Sequence, residues 1–332
     1  AIIFMFYMDL QSRCEVSMSK IYFDDEVKIE ELDKQWNYII LFKSSQTINY
    51  IINQHKNANR KGPYTVEISK NLYDLFSKYD IQKLHTLSSS QTNKTFAFHV
   101  QTPTCYFLLT KRENQGKIEL YDSLPNKYIT FKLHKNIPIP LDFSSIINKF
   151  LKLTNKYGRL DVIKTNLPKK GVKIIEHPNV KFPFKNVKTT TLNKNKAPEL
   201  QIRYSNEELP FNNQPKIIMG HKMYGFPYID KEGSYGICSR DNYVIINKEL
   251  KEMELIKEFL CTEVILFVFE TTRYRMRYLE KYVFEFIPDF SKIDDCWNMF
   301  DNNNVDIYKL FGITKEEKEF IKNYYKIKYK YF

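Results

Sequence analysis

The densest run of chemistry-bearing residues is Gly220-His221-Lys222-Met223-Tyr224-Gly225-Phe226-Pro227-Tyr228. It packs flexible backbone, a cation and three aromatics into nine positions. After a turn at Asp230 to Gly233 come Tyr235 and then Gly236-Ile-Cys-Ser239-Arg240-Asp241-Asn242. An arginine such as Arg240 can bond two acceptors on a guanine edge, and an asparagine such as Asn242 can do the same for adenine. His221, Lys222 and Ser239 suit phosphate oxygens, and Tyr224 and Tyr235 add rings. A third group, Thr272-Arg273-Tyr274-Arg275-Met276-Arg277-Tyr278, closes a helical pattern. Arg273 and Arg277 then share one face and Tyr274 and Tyr278 the next. Arginine, in a chain whose cations are mostly lysine, favours planar recognition of phosphates or bases. The plainer alternatives are a hairpin whose aromatics are core and a cationic helix end that suits the macrodipole.

Catalytic arrangements are scarce. The six histidines (His55, His85, His99, His134, His177, His221) are isolated, with no HxxxH, HxH or HExxH. There is no GxSxG, and no GxGxxG or GxxxxGK[ST] that would cradle a phosphate. Glu67-Ile-Ser-Lys70 is a short acidic-x-Lys element of the kind a metal-dependent nuclease uses, a weak match. Five cysteines (Cys14, Cys105, Cys238, Cys261, Cys296), widely spaced and without CxxC, argue against a disulfide framework and a zinc knuckle. They point to a reducing, intracellular compartment.

Charge narrows the partners. Lys+Arg is 51 against 39 Asp+Glu, a net +12 over 332 residues. Residues 151–200 hold twelve Lys/Arg against three Asp/Glu, most of that surplus. The pair Lys169-Lys170 and Lys173 sit within it. Such a surface favours a polyanion, nucleic acid before anionic membrane. The bland alternative is a solvated, lysine-rich loop set. No apolar run approaches the ~18 residues of a membrane span, and Ala1 to Met8 lacks the basic flank of a signal peptide. The chain opens on Ala1 and is read as a piece of something longer, or as starting at Met5 or Met8.

The elements that must position these residues follow from pattern. Asn37 to Phe42, Tyr64 to Ile68, Thr95 to Val100 and Cys105 to Thr110 read as strands, the last two as an antiparallel hairpin at a sheet edge. Helices are expected over Ile48 to His55 and over Leu72 to Tyr79. Asp142 is placed to cap a helix with Phe143, Ile146, Ile147, Phe150, Leu151 and Thr154 on one stripe, stopped by Gly158. Further on, Ile217 to Met219 and Tyr243 to Ile246 read as strands, and Ser234 to Ile237 as the return strand of a hairpin. Four of nine glycines cluster at Gly220, Gly225, Gly233 and Gly236, marking backbone that needs positive φ or close approach. One long helix is expected from Lys248 to Tyr278, with an inner stripe of Met253, Ile256, Leu260, Val264, Phe267 and Thr271. Phe284 to Pro288 is expected extended, and Thr314-x-x-Glu317 as the capping box of a short C-terminal helix.

The stretch Ile217 to Ile246 (IIMGHKMYGFPYIDKEGSYGICSRDNYVII) resembles the target-recognition region of type II restriction–modification adenine methyltransferases, in the version found in large DNA viruses. Phe259-Leu-Cys-Thr262, the Arg273 to Tyr278 run and Phe286-Ile-Pro-Asp289 follow in the order that family shows. Lys94 to Lys111 and Tyr157 to Pro168 resemble the last strands of its methyltransferase fold. The departures weigh as much as the match. Family members hold S-adenosylmethionine in a Gly-rich loop and the flipped adenine in an Asn/Asp-Pro-Pro-Tyr/Phe motif. Neither occurs here, so no catalytic residue is carried over.

The resulting expectation is an α/β protein: a partial, Rossmann-like methyltransferase sheet over 1–135, a helix and basic connector over 136–185, a mixed α+β target-recognition domain over 186–295 and a helical tail over 296–332. It implies the DNA-recognition part of a site-specific adenine-N6 methyltransferase. Its partners would be double-stranded DNA and a separate catalytic chain or missing N-terminal half that uses S-adenosylmethionine. A restriction endonuclease and a non-catalytic specificity subunit remain as alternatives. The expected setting is a viral factory, the cytoplasm or nucleus of a host, or a bacterial cytoplasm.

Overall fold

The computed structural model describes residues 2–8, 37–43, 79–87, 91, 94, 104–133, 137, 139–192, 198–221, 227–272 and 278–328. They form a mixed α/β protein with several small sheets, divided into two compact units. The expected helix over Ile48 to His55 and the strands at Tyr64 to Ile68 and Thr95 to Val100 lie outside the described residues.

The first unit holds a six-stranded sheet in the order β1-β2-β4-β3-β5-β6. Its strands are β1 (Ile2–Met8), β2 (Asn37–Lys43), β3 (Tyr79–Leu87), β4 (Thr104–Glu113), β5 (Lys117–Asp122) and β6 (Lys127–Lys132). β1–β2 and β3–β5 are parallel, and the other pairings are antiparallel. The sequence pattern puts β4 at an edge, but it lies inside the sheet between β2 and β3. Tyr79 begins β3 and does not end a helix. β5 alternates cleanly, with Ile118, Leu120 and Asp122 buried and Lys117 and Glu119 exposed, because one of its faces packs into the core and the other does not. The buried Asp122 accepts from Leu124 N at 3.0 Å and Ser144 Oγ at 3.4 Å. Asp142 does not cap the helix as expected. It accepts from Ser123 N at 2.9 Å and Ser123 Oγ at 2.5 Å, so it ties down the β5–β6 turn. Burial pushes its carboxyl pKa up.

The second unit is built on two four-stranded sheets. One runs β13-β9-β10-β8 and the other β12-β11-β14-β7. The strands are β7 (Ile163–Lys164), β8 (Ile174–Ile175), β9 (Phe184–Leu192), β10 (Pro198–Ser205), β11 (Lys216–Gly220), β12 (Tyr228–Asp230), β13 (Gly236–Ile237) and β14 (Asn242–Ile245). Val187 and Ile237 from the first sheet and Ile218 and Val244 from the second close into one core cluster. Ser234 to Ile237 is therefore not a return strand on β11. β12 and β14 flank β11, while β13 joins the other sheet, parallel to β9. β7, within the expected connector, is an edge strand of the β11 sheet.

Helix α1 (Ser144–Tyr157) buries its expected stripe: Ile146, Ile147 and Phe150 are fully enclosed, and Phe150 stacks on Phe311 at 3.7 Å. It stops where Gly158, at φ 81°, donates its N–H to Thr154 O. The long helix expected from Lys248 is two, α2 (Leu250–Leu260) and α3 (Glu263–Thr272). The break is at Thr262, whose hydroxyl donates to Phe259 O at 2.7 Å while its own carbonyl accepts from Leu266 N at 3.1 Å. A side chain that closes one helix and starts the next replaces continuous i to i−4 bonding. The full expected stripe is still buried, because both helices face the core. Lys281–Phe286 form a 3-10 helix instead of an extended edge, leaving only Ile287 and Pro288 extended. Beyond α4 (Asp294–Asp301) and α5 (Ile307–Leu310), α6 (Lys315–Lys328) carries the expected capping box. Thr314 N donates to Glu317 Oε2 at 2.7 Å and Glu317 N to Thr314 Oγ1 at 3.3 Å. No helix among the described residues is long and apolar enough to cross a membrane.

Candidate nucleic-acid interface

Of the described candidates, His221, Ser239, Arg240 and Asn242 stand at one end of the β11–β14 pair. β11 ends at Gly220, paired with Asn242 at the start of β14. His221 continues this pairing by donating its N–H to Asp241 O at 2.8 Å. Its carbonyl accepts from Leu279 N at 2.7 Å, and its ring lies 4.9 Å from that of Tyr278. Tyr243 completes the group: its ring is edge-on to His221 at 6.0 Å and its hydroxyl donates to Leu279 O at 2.8 Å. Lys164 enters from β7, with Nζ 4.1 Å from the Tyr243 ring centroid. A buried ammonium over an aromatic face exchanges part of its lost hydration for the ring quadrupole.

The turn between β13 and β14 is fixed from inside. Ser239 Oγ donates to Lys188 O and accepts from Asp241 N at 3.1 Å. Asn242 is fully buried, and its amide nitrogen donates to Lys188 O at 2.9 Å and Ser239 Oγ at 3.1 Å. Thr165 Oγ1 donates to Ser239 O at 2.7 Å. Ser239 and Asn242, read from the sequence as phosphate and adenine contacts, therefore shape their own turn and do not reach the surface. The reason lies on β9, distant in sequence. β9 bulges at Lys188, which frees the Lys188 carbonyl for the side chains of the neighbouring turn.

Arg240, at the tip of that turn, is exposed. So are Lys188 on the bulge and Lys169, Lys170 and Lys173 on the segment that leaves β7. None of these five makes an ion pair among the described residues. Lys173 is held by its backbone, whose N–H donates to Asn206 Oδ1 at 2.9 Å. Tyr235 is half-buried beside the inter-sheet core. Lys222, Tyr224, Arg273, Arg275 and Arg277 lie outside the described residues. Of the residues next to them in the chain, His221 and Tyr278 are in ring contact.

The clustered glycines have a structural cause. A Cβ on Gly220 would meet Thr190 Oγ1 at 2.6 Å, and one on Gly236 would collide with Asn186 Oδ1. At Gly233, where φ is 67°, a Cβ would run into the backbone nitrogen of Gln214. These three admit the protein's own strands and not a ligand, and Gly225 lies outside the described residues.

Sequence reasoning passed over Lys164, Lys188, Asp241 and Tyr243. Lys164 reaches Tyr243 only through the cross-strand pairing of β7 with β14, which no local pattern announces.

The thiols of Cys238, Cys261 and Cys296 are pushed up to about 11, 12 and 12 by burial, so they stay protonated and inert. No group of three or more His, Cys, Asp or Glu among the described residues could hold a metal ion. Glu67 and Lys70 lie outside them. No protein-family model, curated protein or solved structure matches the chain.

Proposed function

We propose that the second unit binds double-stranded DNA with the surface around Arg240 and His221. One observation carries this reading: the hydrogen bond from Leu279 N to His221 O, with the ring contact of Tyr278 on His221. It joins the points where two segments leave the described fold. Lys222 and Tyr224 follow His221, and Arg273, Arg275 and Arg277 precede Tyr278. Arg240 projects from the turn whose Asp241 carbonyl holds His221, and the Lys169–Lys173 stretch departs from the strand beside it. On this reading the lysines neutralise phosphates and Arg240 reaches base edges.

The finer reading rests on the resemblance of the Ile217 to Ile246 stretch. It makes the chain the recognition part of an adenine-N6 DNA methyltransferase, with S-adenosylmethionine chemistry on a separate chain or a missing N-terminal half. The first unit would then be the remnant of a Rossmann-like sheet, although its several antiparallel pairings lend that part no support.

Gel-shift titration of the whole chain on duplex DNA at two salt concentrations tests the binding. Affinity that falls steeply with salt is expected, because displaced counterions set the slope. Salt-insensitive binding, or none, would overturn the reading.

A further inference from the structure

In the first unit's sheet, β5 and β6 keep one face out of the core. Ile118, Leu120 and Phe131 are at most 3% exposed, whereas Lys117, Glu119, Thr130 and Lys132, which alternate with them, are exposed. Register places side chains from three strands on this outer face. Lys83 of β3 is level with Glu119 of β5, and Glu119, Tyr121 and Lys117 pair with Thr130, Tyr128 and Lys132 of β6. A register shift between Ile81 and Lys83 takes up one residue of β3, so Asp80 comes onto the same face as Lys83.

Two features adjoin there. A cavity of about 280 Å³ is lined by Asp80, Lys83, Arg112, Lys117, Glu119 and Thr130, among others. Beside it, His85 stacks on Tyr121 at 4.0 Å, and Tyr128 meets both rings edge-on at 6.5 and 5.6 Å. Lys83 belongs to both, lining the cavity with its Nζ 5.1 Å from the Tyr128 ring centroid.

Charge decides the occupant. Asp80 is neutralised by Arg112 at 2.6 Å, and Glu119 stands level with Lys83. That leaves Lys117 and Lys132 directly opposite each other on neighbouring strands. Like charges so placed destabilise a sheet, a cost that an anion between them converts to a gain. Tyr121 and Tyr128 lie two same-face positions along the hairpin from that lysine pair, and cations and rings spaced along a sheet face suit unstacked bases joined by phosphates, whereas the bases of a duplex are already stacked.

We propose that this face binds single-stranded nucleic acid, with bases on Tyr121 and Tyr128 and phosphates on Lys117 and Lys132. The site belongs to the first unit, and the proposal does not rest on the reading of the second.

Fluorescence anisotropy with a short labelled oligothymidylate, on the full chain, tests it. Lys117→Glu/Lys132→Glu, which changes only exposed groups, should weaken binding at least tenfold. Tyr128→Leu should weaken it on the order of tenfold, the scale of one base–ring stack, and leave duplex binding unchanged. Arg240→Ala should leave oligothymidylate binding unchanged, so failure of the duplex reading is distinguishable from failure of this one. Wild-type affinity in both sheet variants would overturn the proposal. So would heparin binding as tightly as the oligonucleotide, with no loss in Tyr128→Leu, since that reports charge without rings. Melting curves confirm that each variant is folded.

Discussion

Lys216 Nζ lies 2.5 Å from Asp230 Oδ2, and the two side chains are 0% and 3% exposed. Each end of this buried pair holds backbone as well. Lys216 donates to Phe211 O at 2.9 Å and Gln214 O at 3.0 Å. Asp230 accepts from Ser234 N at 2.9 Å and Tyr235 N at 3.2 Å. The pair thus clamps the loop before β11 to the turn after β12. In sequence, Asp230-x-x-Gly233-x-Tyr235-Gly236 reads as part of a recognition region. In the structure its aspartate and glycines serve this clamp and the close packing around it.

Lys216→Met should destabilise the second unit by about 3–5 kcal/mol, the cost of leaving a buried charge without its partner. Burial already pulls the lysine pKa down, and Asp230 opposes that. Asp230→Asn added to Lys216→Met should cost less than the sum of the two single changes, because the charges interact directly. Urea unfolding of the three variants measures it. Strict additivity would show that the pair is not coupled.

Gly233→Ala should also destabilise, by at least about 1–3 kcal/mol from the left-handed backbone alone. The close approach of the Gln214 backbone nitrogen adds to this, since backbone cannot yield as a side chain does. Thermal unfolding of Gly233→Ala beside Gly312→Ala separates the two causes. Gly312 is also at positive φ, 60°, but has nothing within 4 Å of its Cβ position. Equal destabilisation at both sites would show that the Gln214 approach adds nothing.

Local pattern is informative where one face decides the outcome. The α1 stripe, the β11 and β14 runs and the Thr314–Glu317 box all stand, since each needs only neighbours in the chain. What it misses depends on pairing at a distance. Nothing near Ser234 says that β13 will join β9 and leave β11 to β12. Nothing near Asn242 says that a bulge at Lys188 will offer it a carbonyl. The break at Thr262 is hidden because the apolar stripe keeps its phase across it. Of the candidate site, Arg240, Lys169, Lys170 and Lys173 are exposed, while Ser239 and Asn242 are buried in their own turn.

Acid should weaken the first unit through His85. Burial lowers its pKa from 6.5, so the folded ring stays neutral where the unfolded ring takes up a proton. The unfolded state then binds more protons, and stability falls as pH drops through 6.5 toward the folded value, levelling off below it. Asp289 acts later. Despite the desolvation of its buried carboxylate, bonds from Ser291 and Lys248 hold its pKa below 3.8. Its contribution persists above 3.8 and is lost as pH falls through the lower, folded value. Urea midpoints across the range, in wild type and His85→Gln, check the first step. An unchanged slope between about pH 7 and 5.5 in His85→Gln would assign the effect to another group.

Arg240 and the lysine pair at 169–170 should fail differently when removed. Arg240 is the one candidate base-reading side chain that the described residues leave at the surface, held on a turn locked by Ser239, Asn242 and Thr165. Arg240→Ala should cost about 1–3 kcal/mol on a preferred duplex and little on a random one, narrowing the gap between them. Lys169→Ala/Lys170→Ala should weaken both duplexes alike and reduce the salt slope by about two, roughly one for each phosphate that is no longer neutralised. Both sites are exposed, so neither change should alter folding. Titrations on paired duplexes, selected and random, at several salt concentrations separate the two patterns. A uniform loss of affinity in Arg240→Ala would move that residue from base reading to phosphate binding. A sequence-dependent loss in the lysine pair would place base recognition on the 165–173 segment instead.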